Sequence, residues 1–310
     1  MLYCDNYASA GPRPRALRGG NINIGFVGLG AMGRPMAAHV ARAGHALTVF
    51  DVDMAAAQRL AADATVRIAQ GPQDFRGTDI IVTMLPTGAI VREVLVGPQG
   101  IAAQLPRGAL VIDMSSSEPE GTRELGATLT GLGLSLVDAP VSGGVPRATD
   151  ATLTIMIGGE PAAIARARPV LELLGKRLFE VGALGAGHAM KALNNYVSAA
   201  AFEATSEALL IGKRFGIDPN QLIDILNVST GRTFHSELSM KDHVIAGRHA
   251  AGFLLALAAK DVRIAAGLAA ALKIHAPMLE LSAAQMTAAS QTLGPKADVT
   301  EAIKVWGQSS

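Results

Sequence analysis

From Ile22 to about Val181 short apolar runs alternate with stretches whose apolar residues recur at helical spacing. That alternation predicts repeated βαβ units and a parallel sheet. The predicted strands are 22–27, 46–51, 79–85, 109–113 and 134–138, followed by a late pair at 152–157 and 178–181. The first five run out at Gly, Asp, Pro or Ser, and in open α/β sheets ligands bind at such C-terminal strand ends. After Gly182 no run of β-branched residues recurs, and helical spacing continues to about Val305. A long helix from about Gly187 to Phe215 is expected to join the halves and stop at Gly216. Asp218 and Pro219 then supply a cap and a first-turn proline for the next helix.

Ala, Gly, Leu and Val supply the apolar excess, and aromatic residues make up only 4% of the chain. This mixture suits helices packed closely on a parallel sheet better than an all-β sandwich. The apolar stretches near 196–211 and 251–272 are interrupted by Glu203, Glu207, Lys260, Asp261 and Arg263, so they read as core helices and not as membrane spans. A formal charge of +1 provides no large single-sign field for nucleic acid or anionic lipid. The single cysteine, Cys4, excludes an intramolecular disulfide and fits a reducing, cytoplasmic compartment. Residues 1–21, with Arg13, Arg15 and Arg18, lack the apolar core of a secretory signal and are expected to form a loose extension. A transit peptide is the alternative, opposed by Asp5 and by the absence of amphipathic helical spacing.

The first predicted strand leads into Gly28-Leu29-Gly30-Ala31-Met32-Gly33 and then into a helix expected over 32–43, closing at Gly44. A strand, a G-x-G-x-x-G turn and a helix together form a dinucleotide-binding fingerprint. In it Gly28 permits the tight turn, Gly30 lets backbone N–H groups approach a pyrophosphate, and Gly33 lets the helix pack on the strand. Asp51 closes the second strand 23 positions after Gly28, where a carboxylate accepts hydrogen bonds from ribose hydroxyls. The next basic residue, Arg59, lies two helical turns further on, so NAD is expected over NADP. Asp53 reads better as a helix cap than as a second ribose ligand. The expected fold class is thus α/β: a Rossmann-type parallel-sheet domain over 22–183, followed by an all-helical domain over 184–310 serving substrate binding and oligomerisation.

Further stretches accompany this turn in order: Met84-Leu85-Pro86, Asp113-Met114-Ser115-Ser116, Asp138-Ala139-Pro140-Val141-Ser142-Gly143-Gly144, Gly187-His188-Ala189-Met190-Lys191-Ala192-Leu193-Asn194-Asn195 and Lys260-Asp261-Val262. With them the chain resembles the β-hydroxyacid dehydrogenases of the 3-hydroxyisobutyrate dehydrogenase family over about residues 22–305. The resemblance implies that Leu85 and Pro86 line the cofactor, that Ser116 contacts it near the nicotinamide, and that Lys260 reaches back to it across the cleft. Helix capping for Ser116 and simple solvation for Lys260 remain the ordinary alternatives. Ser142, Gly143 and Gly144 are implied to hold a substrate carboxylate, consistent with the N–H donors that glycines expose at a strand end. Immediately afterwards Pro146-Arg147-Ala148-Thr149-Asp150-Ala151 departs from the family's glycines, leaving substrate identity open, and Arg147 can equally be a surface charge.

Lys191 and Asn195 are four apart and share one helix face. By resemblance Lys191 is the catalytic residue. Removing hydride from a carbinol requires the hydroxyl proton to leave as well, and a partly buried lysine with a lowered pKa can carry it. Asn195 would orient the same oxygen, while Asn194 is expected to be structural. Arg232 and His235 are candidates for shaping substrate choice. The seven histidines show no metal-ligand spacing with carboxylates, so no metal is expected. The expected reaction is NAD-dependent oxidation of a small 3-hydroxy acid, or its reverse, in a homodimer or homotetramer. The alternatives are NADPH-linked reduction of imines or short aldehyde acids, against which Asp51 and Lys191 both weigh, and a non-catalytic nicotinamide sensor.

Overall fold

The structure is a computed structural model and describes residues 22–307. The expected extension over 1–21, Cys4 included, lies outside the described residues. Strand β1 (Asn23–Val27), helix α1 (Gly33–Arg42), β2 (Ala46–Phe50), α2 (Met54–Asp63) and β3 (Arg67–Ile68) build one side of a sheet. From the other edge of β1 follow β4 (Ile80–Thr83), α3 (Gly88–Val96), β5 (Leu110–Asp113), α4 (Pro119–Gly131) and β6 (Ser135–Asp138). The strand order β3-β2-β1-β4-β5-β6 is parallel throughout and reverses direction at β1, which sets the glycine turn at the switch point of the sheet.

Beyond β6 the sheet is no longer parallel. Strands β7 (Val141–Ser142), β8 (Leu153–Gly158) and β9 (Gly175–Gly182) follow, separated by helices α5 (Gly144–Thr149) and α6 (Pro161–Glu172). β8 runs antiparallel to β6 and to β7, whereas β9 lies parallel to β8 at the edge. The expected parallel sheet is thus found in six strands, and the late strands add an antiparallel step at β8. Only residues 143–152 separate β7 from its partner β8, fewer than the dozen or more that a parallel crossover needs, so the chain turns back and β8 runs antiparallel. β3 and β7, two residues each, are too short to leave a periodic signal and were not foreseen.

Alternate residues of the strands feed two cores. Ile24, Phe26 and Val49 join Met36, Val40 and Leu60 of α1 and α2 and Ile164 and Val170 of α6 on one face. Val27, Ile81 and Val111 join Val91 and Leu95 of α3 and Leu125 and Leu129 of α4 on the other. Burial of such side chains on both faces favours each by about 1.5–3 kcal/mol over exposure.

The remaining chain is helical: α7 (Ala186–Phe215), α8 (Pro219–Asn227), α9 (Phe234–Leu238), a π turn over Met240–Ile245, α10 (Leu255–Ala271), α11 (Pro277–Leu293) and α12 (Ile303–Trp306). Its core of Phe202, Ile223, Met240, Val262 and Met286 is separate from those of the sheet. α7 ends at Gly216 with φ +100, and Asp218 Oδ1 accepts the N–H of Gln221 at 2.9 Å ahead of α8, as their residue types predict. Among the described residues no helix is long and apolar enough to cross a membrane.

Candidate active site

The glycine turn is shaped by contacts that leave no room for side chains. Gly28 has φ +98, and a Cβ there would lie 2.2 Å from the Met84 carbonyl oxygen; one on Gly33 would lie 1.9 Å from that of Gly28. Gly30 differs, since a Cβ there would meet nothing within 4 Å. The first and third glycines are thus demanded by the fold, and the second faces open space at the N-terminal end of α1, with Leu29, Ala31 and Met32 between them. That open cradle of backbone at a helix N-terminus fits a pyrophosphate.

Asp51 stands across the turn. Its Oδ2 accepts the N–H of Leu29 at 2.5 Å and its Oδ1 that of Asp53 at 2.7 Å, tying β1's exit to the start of α2. Each carboxylate oxygen retains a lone pair for a further donor. Asp53 caps α2 through the N–H of Ala55, and Arg59 is paired with Asp53 at 3.3 Å.

On the far side of β1 the Leu85 N–H donates to Ser115 Oγ at 2.9 Å, so the ends of β4 and β5 are joined. Ser116 is not a helix cap: Glu118 occupies that position of α4 without a side-chain bond. Its carbonyl oxygen instead accepts from Lys260 Nζ at 2.7 Å, and the Pro86 carbonyl accepts from the same ammonium at 3.3 Å. Lys260, on α10, therefore crosses from the helical half to both loops and is not a solvated surface lysine.

The same lysine is 3.1 Å from Asp261, whose buried carboxylate also accepts from Asn195 Nδ2 at 2.5 Å. Asn195 Oδ1 accepts in turn from Lys191 Nζ at 3.1 Å and from Asn194 Nδ2 at 3.1 Å. Lys191, Asn195, Asp261 and Lys260 thus form one chain of polar contacts from α7 to α10 and on to the sheet loops. Burial is the main force pushing the Lys191 amine below its ordinary pKa; Lys260 adds to the effect, and the negative charge of Asp261 opposes it.

Sequence reasoning missed the part played by Asp261. The Lys260-Asp261-Val262 stretch was visible, but an acid beside a lysine on a helix gives no sign of which donor it meets 66 residues away. Ser142–Gly144 joins β7 to α5, with φ +132 at Gly143 and +66 at Gly144. Among the described residues no hydrogen bond connects that segment to Lys191. Arg147 lays its aliphatic stem over Gly143, with Cδ 2.4 Å from where a Cβ would stand. His235 is a core residue, bonded to Ser198 Oγ at 2.9 Å and Ser239 Oγ at 3.1 Å, and burial pushes its pKa down to about 4. Arg232 is paired with Glu237 at the surface.

Two family profiles cover this arrangement: the NAD binding domain of 6-phosphogluconate dehydrogenase matches residues 23–182, and the NAD-binding region of NADP-dependent 3-hydroxyisobutyrate dehydrogenase matches 185–306. The chain belongs to the β-hydroxyacid dehydrogenase family. Among the relatives of this β-hydroxyacid dehydrogenase is the 2-(hydroxymethyl)glutarate dehydrogenase of Eubacterium barkeri, 34% identical over 93% of this chain and 96% of the relative. The 3-hydroxyisobutyrate dehydrogenase of Pseudomonas aeruginosa is 35% identical over 83% of this chain and 88% of its own. A solved structure of the Mycobacterium tuberculosis 3-hydroxyisobutyrate dehydrogenase with L-serine superimposes with a TM-score of 0.83 at 32% identity, covering 92% of this chain and 99% of that one.

Proposed function

We propose that Lys191 moves the hydroxyl proton while a small 3-hydroxy acid, similar to 3-hydroxyisobutyrate, is oxidised to its semialdehyde or oxo acid. The protein is an NAD-dependent oxidoreductase acting on the hydroxyl group of hydroxy acids. NAD, when bound, would supply the acceptor for the hydride of the carbinol carbon. The residues that would hold it are Gly28–Gly33, Asp51, Leu85, Pro86, Ser116 and Lys260. The open space beside Gly30 and the spare lone pairs of Asp51 fit it, and Arg59, drawn to Asp53, is not turned to a 2′-phosphate.

The single observation carrying the catalytic reading is the half-buried Lys191–Asn195 pair anchored on the buried Asp261. Burial makes the neutral amine accessible, so Lys191 can accept the hydroxyl proton in oxidation and return it in reduction. Asn195, held by Asp261, orients the amine. Ser142, Gly143 and Gly144 bind the substrate carboxylate through backbone N–H groups.

In this reading residues 22–183 bind the cofactor, and 184–310 supply the lysine and the oligomer contacts. Phe215 and Val228 are 85% and 87% exposed on the helical half, apolar surface that a homodimer or homotetramer would cover; the single cysteine supports a cytoplasmic setting. Running Lys191→Ala and the parent enzyme against a panel of 3-hydroxy acids, with NAD and NADP in parallel, tests the assignment. Loss of NADH formation is expected, and unchanged turnover would refute it.

A further inference from the structure

Three residues before Lys191, the first turn of α7 is held by a carboxylate from the sheet. α7 opens at Gly185 with φ +89 and receives no side-chain cap from its own loop. Asp138, the fully buried last residue of β6, supplies the missing acceptors: Oδ1 takes the N–H of Gly185 at 2.8 Å and Oδ2 that of His188 at 2.8 Å. Unsatisfied donors at the positive end of a thirty-residue helix thus meet one anion. The approach is so close that two glycines are required. A Cβ on Gly187 would lie 2.4 Å from the Met156 carbonyl oxygen and 2.8 Å from Asp138 Oδ2, and one on Gly158 would lie 2.5 Å from Asp138 Oδ1.

His188 fixes the rotation of the helix about its axis. Its buried ring places Nδ1 2.8 Å from Thr122 Oγ1 of α4, and that hydroxyl donates its only proton to the Glu118 carbonyl at 3.0 Å. The ring nitrogen is therefore the donor. Nε2 has no hydrogen-bond partner among the described residues and lies 3.6 Å from Asp113 Oδ2 at the end of β5. Asp113 is itself fixed by Thr83 Oγ1, the Ser115 N–H and Ser117 Oγ. The ends of two strands and one helix converge on this turn, and Lys191 follows His188 within one turn of regular backbone.

We propose that Asp138 and His188 are positioning residues: they clamp the start of α7 to the ends of β5 and β6 and so set the direction from which Lys191 reaches the substrate. The inference rests on the reading of Lys191 as the proton carrier. Neither residue touches the reacting atoms; the effect runs through the helix.

Asp138→Asn keeps the shape but leaves one oxygen to serve two donors. Mass-spectrometric hydrogen exchange over 185–191 is expected to quicken, and kcat to fall about 100-fold, the scale of a misplacement by about 1 Å, with the Kd for NAD unchanged within about twofold. Gly187→Ala keeps every polar group yet pushes the helix off the sheet; it gives the same loss of kcat and serves if Asp138→Asn does not fold. His188→Asn, whose amide nitrogen can replace Nδ1 toward Thr122, restores activity relative to His188→Ala. Val170→Ala, on the core face of α6, lowers the melting temperature with kcat unchanged, separating the clamp from general destabilisation. Parental kcat in both folded Asp138→Asn and Gly187→Ala overturns the inference. Unaltered exchange in Asp138→Asn overturns the clamp whatever the kinetics show, whereas turnover surviving Lys191→Ala refutes the reading of Lys191 and with it the catalytic purpose of the clamp.

Discussion

Asn195 of α7 donates its amide hydrogen to the Asp261 carboxylate of α10 at 2.5 Å, and through that bond the orientation of Lys191 depends on a residue from another helix. The same carboxylate is paired with Lys260, so one buried anion serves both lysines. Removing it leaves the Asn195 amide without its acceptor and Lys260 without its counter-charge, which costs more than the bond itself contributes.

If Lys191 carries the proton as proposed, Asp261→Ala is expected to lower kcat about 10–100-fold, the cost of mispositioning such a group. It also shifts the pH profile. Asp261 holds the Lys191 pKa up against burial, so its removal lets that pKa fall further. Oxidation needs the neutral amine, and its rate rises with pH through the Lys191 pKa; in the variant this rise moves to lower pH. Profiles of kcat/KM against pH for the two enzymes check both sign and size, and a limb moved to higher pH would contradict the assignment.

Lys191→Arg is expected to be as inactive as Lys191→Ala, with at least about a 100-fold loss in kcat, because a guanidinium does not release its proton at accessible pH. Cofactor binding measured by calorimetry should be retained by both, since Lys191 is proposed to move the proton and lies outside the glycine turn.

The three glycines of the turn should separate by experiment. Gly33→Ala places a methyl 1.9 Å from the Gly28 carbonyl and is expected to destabilise the fold, read as a lower melting temperature. Gly30→Ala meets nothing in the protein and should melt close to the parent, yet raise the KM for NAD because its methyl enters the cradle.

Asp51→Ala removes the acceptor from Leu29 and Asp53 and, on the proposed reading, from the ribose, and is expected to raise the KM for NAD about 10–100-fold, as for the loss of charged hydrogen bonds of about 1.5–3 kcal/mol. Val52, 94% exposed beside it, is the place where a cation would face a 2′-phosphate. Val52→Arg added to Asp51→Ala should move the preference toward NADP, which paired kcat/KM values for the two cofactors would reveal.

Glu203 offers a stability test remote from the site. Burial raises its pKa from 4.5 to about 7, with the charge of Glu207 adding to the rise and the nearby Ser282 hydroxyl opposing it. Because the folded state holds this proton more tightly than the unfolded chain, stability falls as pH climbs from the unfolded value through about 7, and the full penalty stands above that. Glu203→Gln should therefore melt higher than the parent at about pH 8, with the difference shrinking toward about pH 5; equal melting curves at both would show that the carboxyl is not held in its acid form.

Short-range features were legible from residue type. The glycine turn, Asp51 at its strand end, the stop at Gly216 and the cap at Asp218 follow from sterics and hydrogen bonding within a few residues. The facing pair Lys191 and Asn195 follows from helical repeat alone.

The sequence by itself determined the layer architecture, the cofactor turn and the helix that carries the lysine, because hydrophobic period and backbone sterics act locally. Only the tertiary structure decided that the sheet turns antiparallel after β6, that Lys260 reaches Ser116 from 144 residues away, and that Asp261 meets Asn195 and Asp138 meets the first turn of α7. A buried carboxylate accepts from whichever donor packing brings within about 3 Å, and that choice is made by long-range packing which no local pattern encodes.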